Sequence, residues 1–168
     1  RYTGDADTDF VRGMIPHHQG AVDMVDVVLK YGSDPEIRTL AEWIKYMQLQ
    51  EIGLMKHWLH TKGRSESVDW GAADSDAVAA YKEADRVMHH GMMICYTGDA
   101  DVDFALGMIP HHQGAVDMAN IILKHGRDFE MKEMARNVIW SQNQEIAKMQ
   151  RWLDKRGIVE KLCHQHHH

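Results

Sequence analysis

Gly13-Met14-Ile15-Pro16-His17-His18-Gln19-Gly20-Ala21-Val22-Asp23-Met24 occurs twice in this chain: Gly107 to Met118 repeats it letter for letter, ninety-four positions later. The likeness reaches back to Tyr2-Thr3-Gly4-Asp5-Ala6-Asp7 and Tyr96-Thr97-Gly98-Asp99-Ala100-Asp101, and 20 of 23 positions match between Tyr2–Met24 and Tyr96–Met118. Beyond it, Val25–Leu59 and Ala119–Leu153 share only 13 of 35 positions, although the apolar spacing survives. Duplicated helices that need only a buried face drift in this way. A stretch that keeps its His, Met and Asp asks for a further reason.

Each copy reads as a helix hairpin. Asp5 or Asp7 opens the first helix, where the helix dipole favours negative charge. Phe10, Met14, His17, Ala21, Met24 and Val28 then recur at helical spacing along one face, and Gly32 ends the run. Pro16 lies inside this pattern and predicts a kink or break that frees the carbonyl near Arg12. Ser33 or Asp34 caps a second helix with Pro35 at its first position. Its stripe is Ile37, Leu40/Ala41, Ile44, Met47/Gln48, Glu51, Met55 and Trp58, ending near Gly63.

Residues 64–74 read as a polar linker and Ser75 to about Cys95 as a third helix, with Val78, Tyr81, Ala84/Asp85, Met88 and Met92 along one side. Asp101–His125 and Asp128–Arg156 repeat the first pair. No segment alternates with strand period, so the expected fold is all-α: two helix hairpins forming a four-helix bundle, with the third helix linking them or covering a side. The expected division is 1–63 for the first repeat, without a preceding helix, 64–74 for the linker and 75–157 for the second repeat with its preceding helix. Residues 158–168 form a tail whose His164, His166, His167 and His168 are tag or natural tail.

A net charge of -6 over 168 residues argues against a nucleic-acid partner, which needs a basic face. No apolar run approaches the roughly 18 to 20 residues of a membrane span. No signal peptide is visible; the chain opens at Arg1-Tyr2, and any export address is expected to have been removed. Cys95 and Cys163 show no CxxC spacing, and their pairing is open.

The chemistry sits on the repeated helix. Met14 lies one turn from His17 and His18, and Met24 two turns from His17, with His18 at the edge of the face. Met108, His111, His112 and Met118 repeat this set. The run Met88-His89-His90-Gly91-Met92-Met93 places His89 one turn from Met92. Imidazole with thioether is a soft donor set suited to Cu(I) and Ag(I), while imidazole with carboxylate or water suits Cu(II). Zinc fits poorly, because methionine is not among its usual ligands and no cysteine pair is available. The plain alternative is that methionine at helical spacing fills a core, the ordinary reading of Met47, Met55, Met131 and Met134 taken singly; Met47, Met55 and Met149 are also candidates to support or join the metal site. Glu51 and Glu145 interrupt the second-helix stripes and either orient an imidazole or join it as ligands. The Asp5/Asp7/Asp9 and Asp99/Asp101/Asp103 runs read as helix starts, and His57, His60 and His125 as surface residues.

The pattern Asp-Phe-x-x-Gly-Met-Ile-Pro-His-His-Gln-Gly-Ala-Val-Asp-Met, followed by Leu-Lys-x-Gly-x-Asp and Gln-x-Gln-Glu-Ile-x-x-Met-x-x-Trp-Leu, resembles the DUF305 family. The tandem arrangement is similar to that of a cyanobacterial periplasmic copper-binding member. The resemblance covers Tyr2–Leu59 and Met88–Leu153. It implies a ferritin-like helical bundle, a periplasmic or secreted location and copper binding tied to copper resistance. The family's Met-x-x-His-His element falls on Met14, His17, His18 and on Met108, His111, His112, its following methionine on Met24 and Met118, and its Met-His-x-x-Met element on Met88, His89 and Met92.

The leading expectation is a copper buffer or chaperone, not an enzyme. It binds Cu(I), with Cu(II) and Ag(I) as further cargo, and exchanges with a copper efflux component. The alternatives are a ferritin-like metalloenzyme, against which the chain lacks Glu-x-x-His, and a metal-free helical interaction module.

Overall fold

Asp5, Asp34, Asp74, Asp99 and Asp128 each stand just before a helix, and each side chain accepts a hydrogen bond from a first-turn backbone N–H. Such a cap satisfies donors that the helix leaves unpaired and places negative charge at the positive end of its dipole. In the computed structural model, which describes residues 2–62 and 74–160, they open α1 (Ala6–Tyr31), α2 (Pro35–Thr61), α3 (Ser75–Gly91), α4 (Ala100–His125) and α5 (Phe129–Lys155). No extended strand occurs among the described residues, and the fold is all-α. The expected linker, apart from Asp74, lies outside the described residues, as do Cys163 and the tail histidines. Cys95 is disulfide-bonded.

Helices α1 and α4 form the centre, α2 packs on α1, α5 on α4, and α3 lies mainly along α4. One apolar cluster joins Val25, Val28, Ile37 and Ile44 to Phe104, Met108 and Trp152. The other joins Phe10, Met14, Met55 and Trp58 to Ile122 and Val138. Each cluster mixes the front of one copy with the far end of the other, so the hairpins pack head to tail about a pseudo-two-fold axis. A fully buried side chain of this kind contributes roughly 1.5–3 kcal/mol.

Polar bonds fix that register. Asp7 accepts from the backbone N–H groups of Arg127 (2.9 Å) and Asp128 (3.1 Å) in the opposite turn. Asp101 accepts from Ser33 (2.9 Å) and Asp34 (3.1 Å) in the same way. The indole of Trp58 donates to Asp128, and that of Trp152 to Asp34, each at 3.0 Å. The Asp-x-Asp runs are helix starts, as expected, but their middle members also tie the two copies together.

Three local expectations are corrected. Of the kink or break expected at Pro16, the break does not occur: α1 runs on through Pro16 and α4 through Pro110. Helix α3 stops at Gly91 rather than near Cys95, with Met92 as its C-cap, and the chain then runs on to the second Tyr-Thr-Gly start. His125 is not a free surface residue: it is partly buried, and its Nδ1 lies 2.9 Å from Oδ2 of Asp74, which ties the end of α4 to the start of α3.

Candidate metal centre

Successive helical residues point about 100° apart, so His17 and His18 address different neighbours. His17 faces its repeat partner across the axis: the His17 and His111 rings stack with centroids 3.8 Å apart and an interplanar angle of 23°. Gly20 makes room, since a Cβ there would lie 3.3 Å from Nε2 of His111. Gly13 and Gly107 likewise admit the methyl groups of Met118 and Met24, at 3.0 and 3.2 Å from where a Cβ would stand.

His18 is not at the edge of a face but fully buried, at 0% exposure, as is His112. His18 Nε2 meets Glu51 Oε1 at 2.6 Å, and His112 Nε2 meets Glu145 Oε1 at 2.6 Å. A carboxylate accepts, so Nε2 donates, and Nδ1 is the ring's remaining nitrogen. The Nδ1 atoms of His17, His18, His111 and His112 are all buried and without a hydrogen-bond partner among the described residues. Four unused imidazole nitrogens in the middle of a bundle are a polar excess that a structural core does not need.

Electrostatics keep the stacked pair neutral. Burial first, then the neighbouring His111, His18 and His112, holds His17 well below the usual imidazole range. Burial, then His112 and His18, pushes His111 down to about 3. Their lone pairs are therefore free of protons at ordinary pH.

Helix α3 brings sulfur to this pair. Tyr81 anchors it by donating to the Ala6 carbonyl at 3.0 Å. Met88 then rests on Gly114, where an added Cβ would come within 2.9 Å of its Sδ. Met88 Sδ lies 3.1 Å from His17 Nε2. A cavity of about 340 Å³ opens here, lined by His17, Met88, His89, His111 and Met118 among others. His89 is exposed, with Nδ1 turned back to the Asp85 carbonyl at 2.9 Å.

Other singled-out residues are placed elsewhere. Met14, Met55, Met108 and Met149 are fully buried in the two apolar clusters, away from any opening. Met24 is partly buried near Tyr96, and Met92 is partly exposed at the end of α3. Met47 lines a separate groove together with Glu51 and Glu145. Among the described residues no three His, Cys, Asp or Glu side chains converge on a metal position; the donors that do meet are imidazole and thioether.

The sequence reading missed Gly20 and Gly114, whose signal was a repeated glycine inside a helix, where it costs about 1 kcal/mol unless something approaches closely. It also missed that Gln48 and Gln142, one turn before the glutamates, are buried with an unpartnered Oε1.

The family described as "Domain of unknown function (DUF305)" matches residues 7–153 and again 101–168. The chain belongs to the DUF305 family. Among solved DUF305 structures, a putative secreted protein from Streptomyces coelicolor superposes with a TM-score of 0.71 at 29% identity, covering 95% of this chain and 99% of that one. CopM in its Cu(I)-bound form gives a TM-score of 0.68 at 31% identity, covering 92% of this chain and 98% of CopM. CopM in an Ag-bound form obtained by soaking gives 0.66 at 32% identity, covering 89% of this chain and 95% of that one. "Uncharacterized protein L153" of Acanthamoeba polyphaga mimivirus is 37% identical over 62 residues, which are 37% of this chain and 41% of that protein. The match therefore spans about two fifths of that relative's length. No described helix is long and apolar enough to cross a membrane.

Proposed function

We propose that this DUF305 protein is an extracytoplasmic copper-binding protein, a buffer or chaperone that takes up Cu(I) and releases it to a copper-exporting partner. The observation that carries this reading is the neutral His17–His111 pair with the Met88 thioether 3.1 Å from His17 Nε2, at the wall of an open cavity. Imidazole and thioether together favour Cu(I) and Ag(I) over harder ions. His17 and Met88 would hold the ion, and the flexible Met88 side chain would give way to admit it.

His18 and His112, held by Glu51 and Glu145, offer Nδ1 as further donors on the pattern of a carboxylate that orients a ligating imidazole. Met118 and His89 complete the cavity on its open side. Cu(II) is the secondary cargo, through imidazole and water. The likeness to CopM in its copper- and silver-bound forms supports the metal, and the likeness to a putative secreted protein supports the location. This reading involves no catalysis.

The test is an anaerobic Cu(I) titration against a chromophoric chelator, with His164, His166, His167 and His168 changed to Ala in every sample. Replacing His17 and His111 by Ala, or Met88 by Leu, is expected to weaken binding by about 10- to 100-fold, the range seen when a metal site loses a supporting group. Undiminished binding in both variants, or no competition by the parent protein, overturns the reading.

A further inference from the structure

Away from the His17–Met88 cavity, the bundle is open between α2 and α5. Their ends are tied by the Trp58–Asp128 and Trp152–Asp34 hydrogen bonds. Between those ties lies a groove of about 600 Å³ with Trp43, Met47, Leu54, Met134 and Trp140 in its walls. Trp43 is 51% and Trp140 70% exposed. One exposed indole is ordinary; two flanking the same concave apolar surface are not.

Glu51 and Glu145 line the groove at 8% and 5% exposure. Each uses Oε1 for its histidine, and neither has any other hydrogen-bond or ion-pair partner among the described residues. Glu130 and Glu133 also line the groove, each beside its own cation, Lys62 at 3.7 Å and Arg136 at 3.6 Å, and Lys148 adds one ammonium. The walls are not a by-product of the duplication: Trp43 corresponds to Asn137, Trp140 to Tyr46, Met47 to Ser141 and Leu54 to Lys148, whereas Glu51 and Glu145 correspond to each other.

We propose that this groove binds an organic cation with an apolar body: a quaternary or protonated ammonium carried on an alkyl or aromatic group. The volume suits a small organic ligand, and a metal ion would leave most of it empty. Indole faces attract cations. A neutral hydrocarbon would cover the second oxygens of Glu51 and Glu145 without pairing them, which costs desolvation with no return, and an anion meets those same two carboxylates. The groove shares Glu51 and Glu145 with the copper reading but no imidazole nitrogen or thioether, and a titration in chelator reads the groove alone.

Isothermal titration calorimetry on the full chain in chelator, with tryptophan fluorescence in parallel, tests it with three probes below their micellar concentrations: decyltrimethylammonium, decanol and decyl sulfate. The expected result is one saturable site that prefers the ammonium over the alcohol by about tenfold and does not take the sulfate. Trp43→Ala with Trp140→Ala is expected to weaken the ammonium by about tenfold with the circular-dichroism melt unchanged, since both indoles are largely in water. Glu51→Gln with Glu145→Gln is expected to erase the preference over decanol. Equal binding of ammonium and alcohol by the parent protein overturns the proposal, as does full binding after loss of both indoles. Binding only of a basic amphipathic peptide, with no uptake of the small cation, also overturns it and makes the groove a protein-docking surface.

Discussion

Taking the metal-free protein from pH 7 to pH 5 is expected to cost about 2 kcal/mol of stability at His111 alone, and the sign follows from linkage. The folded protein holds His111 at a pKa of about 3 against 6.5 for the free imidazole. At pH 5 the unfolded chain has taken up a proton there in about 97% of molecules, while the folded chain has taken up almost none. The unfolded state therefore gains RT ln(1 + 10^1.5), about 2 kcal/mol, and stability falls as pH drops through the window from 6.5 to 3. For a domain of this size that is roughly 4 to 8 °C in Tm. His17, lowered for the same reasons, adds in the same direction. Asp7, whose carboxyl is raised chiefly by burial, contributes with opposite sign, gaining stability as it takes up a proton; it is present in parent and variant alike, so comparing the two cancels it. The assay is urea unfolding followed by tryptophan fluorescence at pH 7, 6 and 5, comparing the parent with His111→Gln. The variant is expected to lose about 2 kcal/mol less than the parent across that range. Equal losses would refute the reasoning, because His111 would then titrate in the folded protein as it does in water.

Glu145→Leu leaves the buried His112 N–H without its acceptor and is expected to cost about 3 kcal/mol in urea unfolding, while Glu145→Gln keeps an acceptor and costs about 1 kcal/mol. A cost below about 0.5 kcal/mol for the leucine variant, the low end of an ordinary hydrogen-bond contribution, would show that the pair is not formed. Gly114→Ala gains about 1 kcal/mol of helix propensity but pushes its Cβ to 2.9 Å from Met88 Sδ, so the expected net result is a loss of about 1 kcal/mol with weaker Cu(I) binding. Gly20→Ala meets His111 Nε2 at 3.3 Å and is expected to be near neutral in thermal unfolding. Asp128→Ala removes both the α5 cap and the acceptor of the Trp58 indole, an expected loss of about 2 kcal/mol; full retention of Tm would separate that residue from the inter-copy tie.

Local sequence carries the helices and their pairing. Periodic apolar spacing, aspartate caps and glycine stops are local signals, and they gave α1, α2, α4 and α5 with their boundaries. Duplication then implied two like hairpins, and a buried face on each implied that they pack together. Glu51 and Glu145 were legible as interruptions of an apolar stripe, because a carboxylate in a buried row needs a partner.

Tertiary structure decided which of two adjacent histidines does what. His17 and His18 differ by one residue, yet one stacks on the symmetry axis and the other turns to a glutamate, since about 100° of helix rotation sends them to different neighbours. It also sorted the methionines. Met14 and Met108 share the helical spacing of ligands but are sealed in apolar clusters, whereas Met88 reaches the imidazoles because α3 docks along α4 on glycine. Helical periodicity places a side chain on a face; only the helices packed against that face decide whether it becomes core, ligand or groove wall.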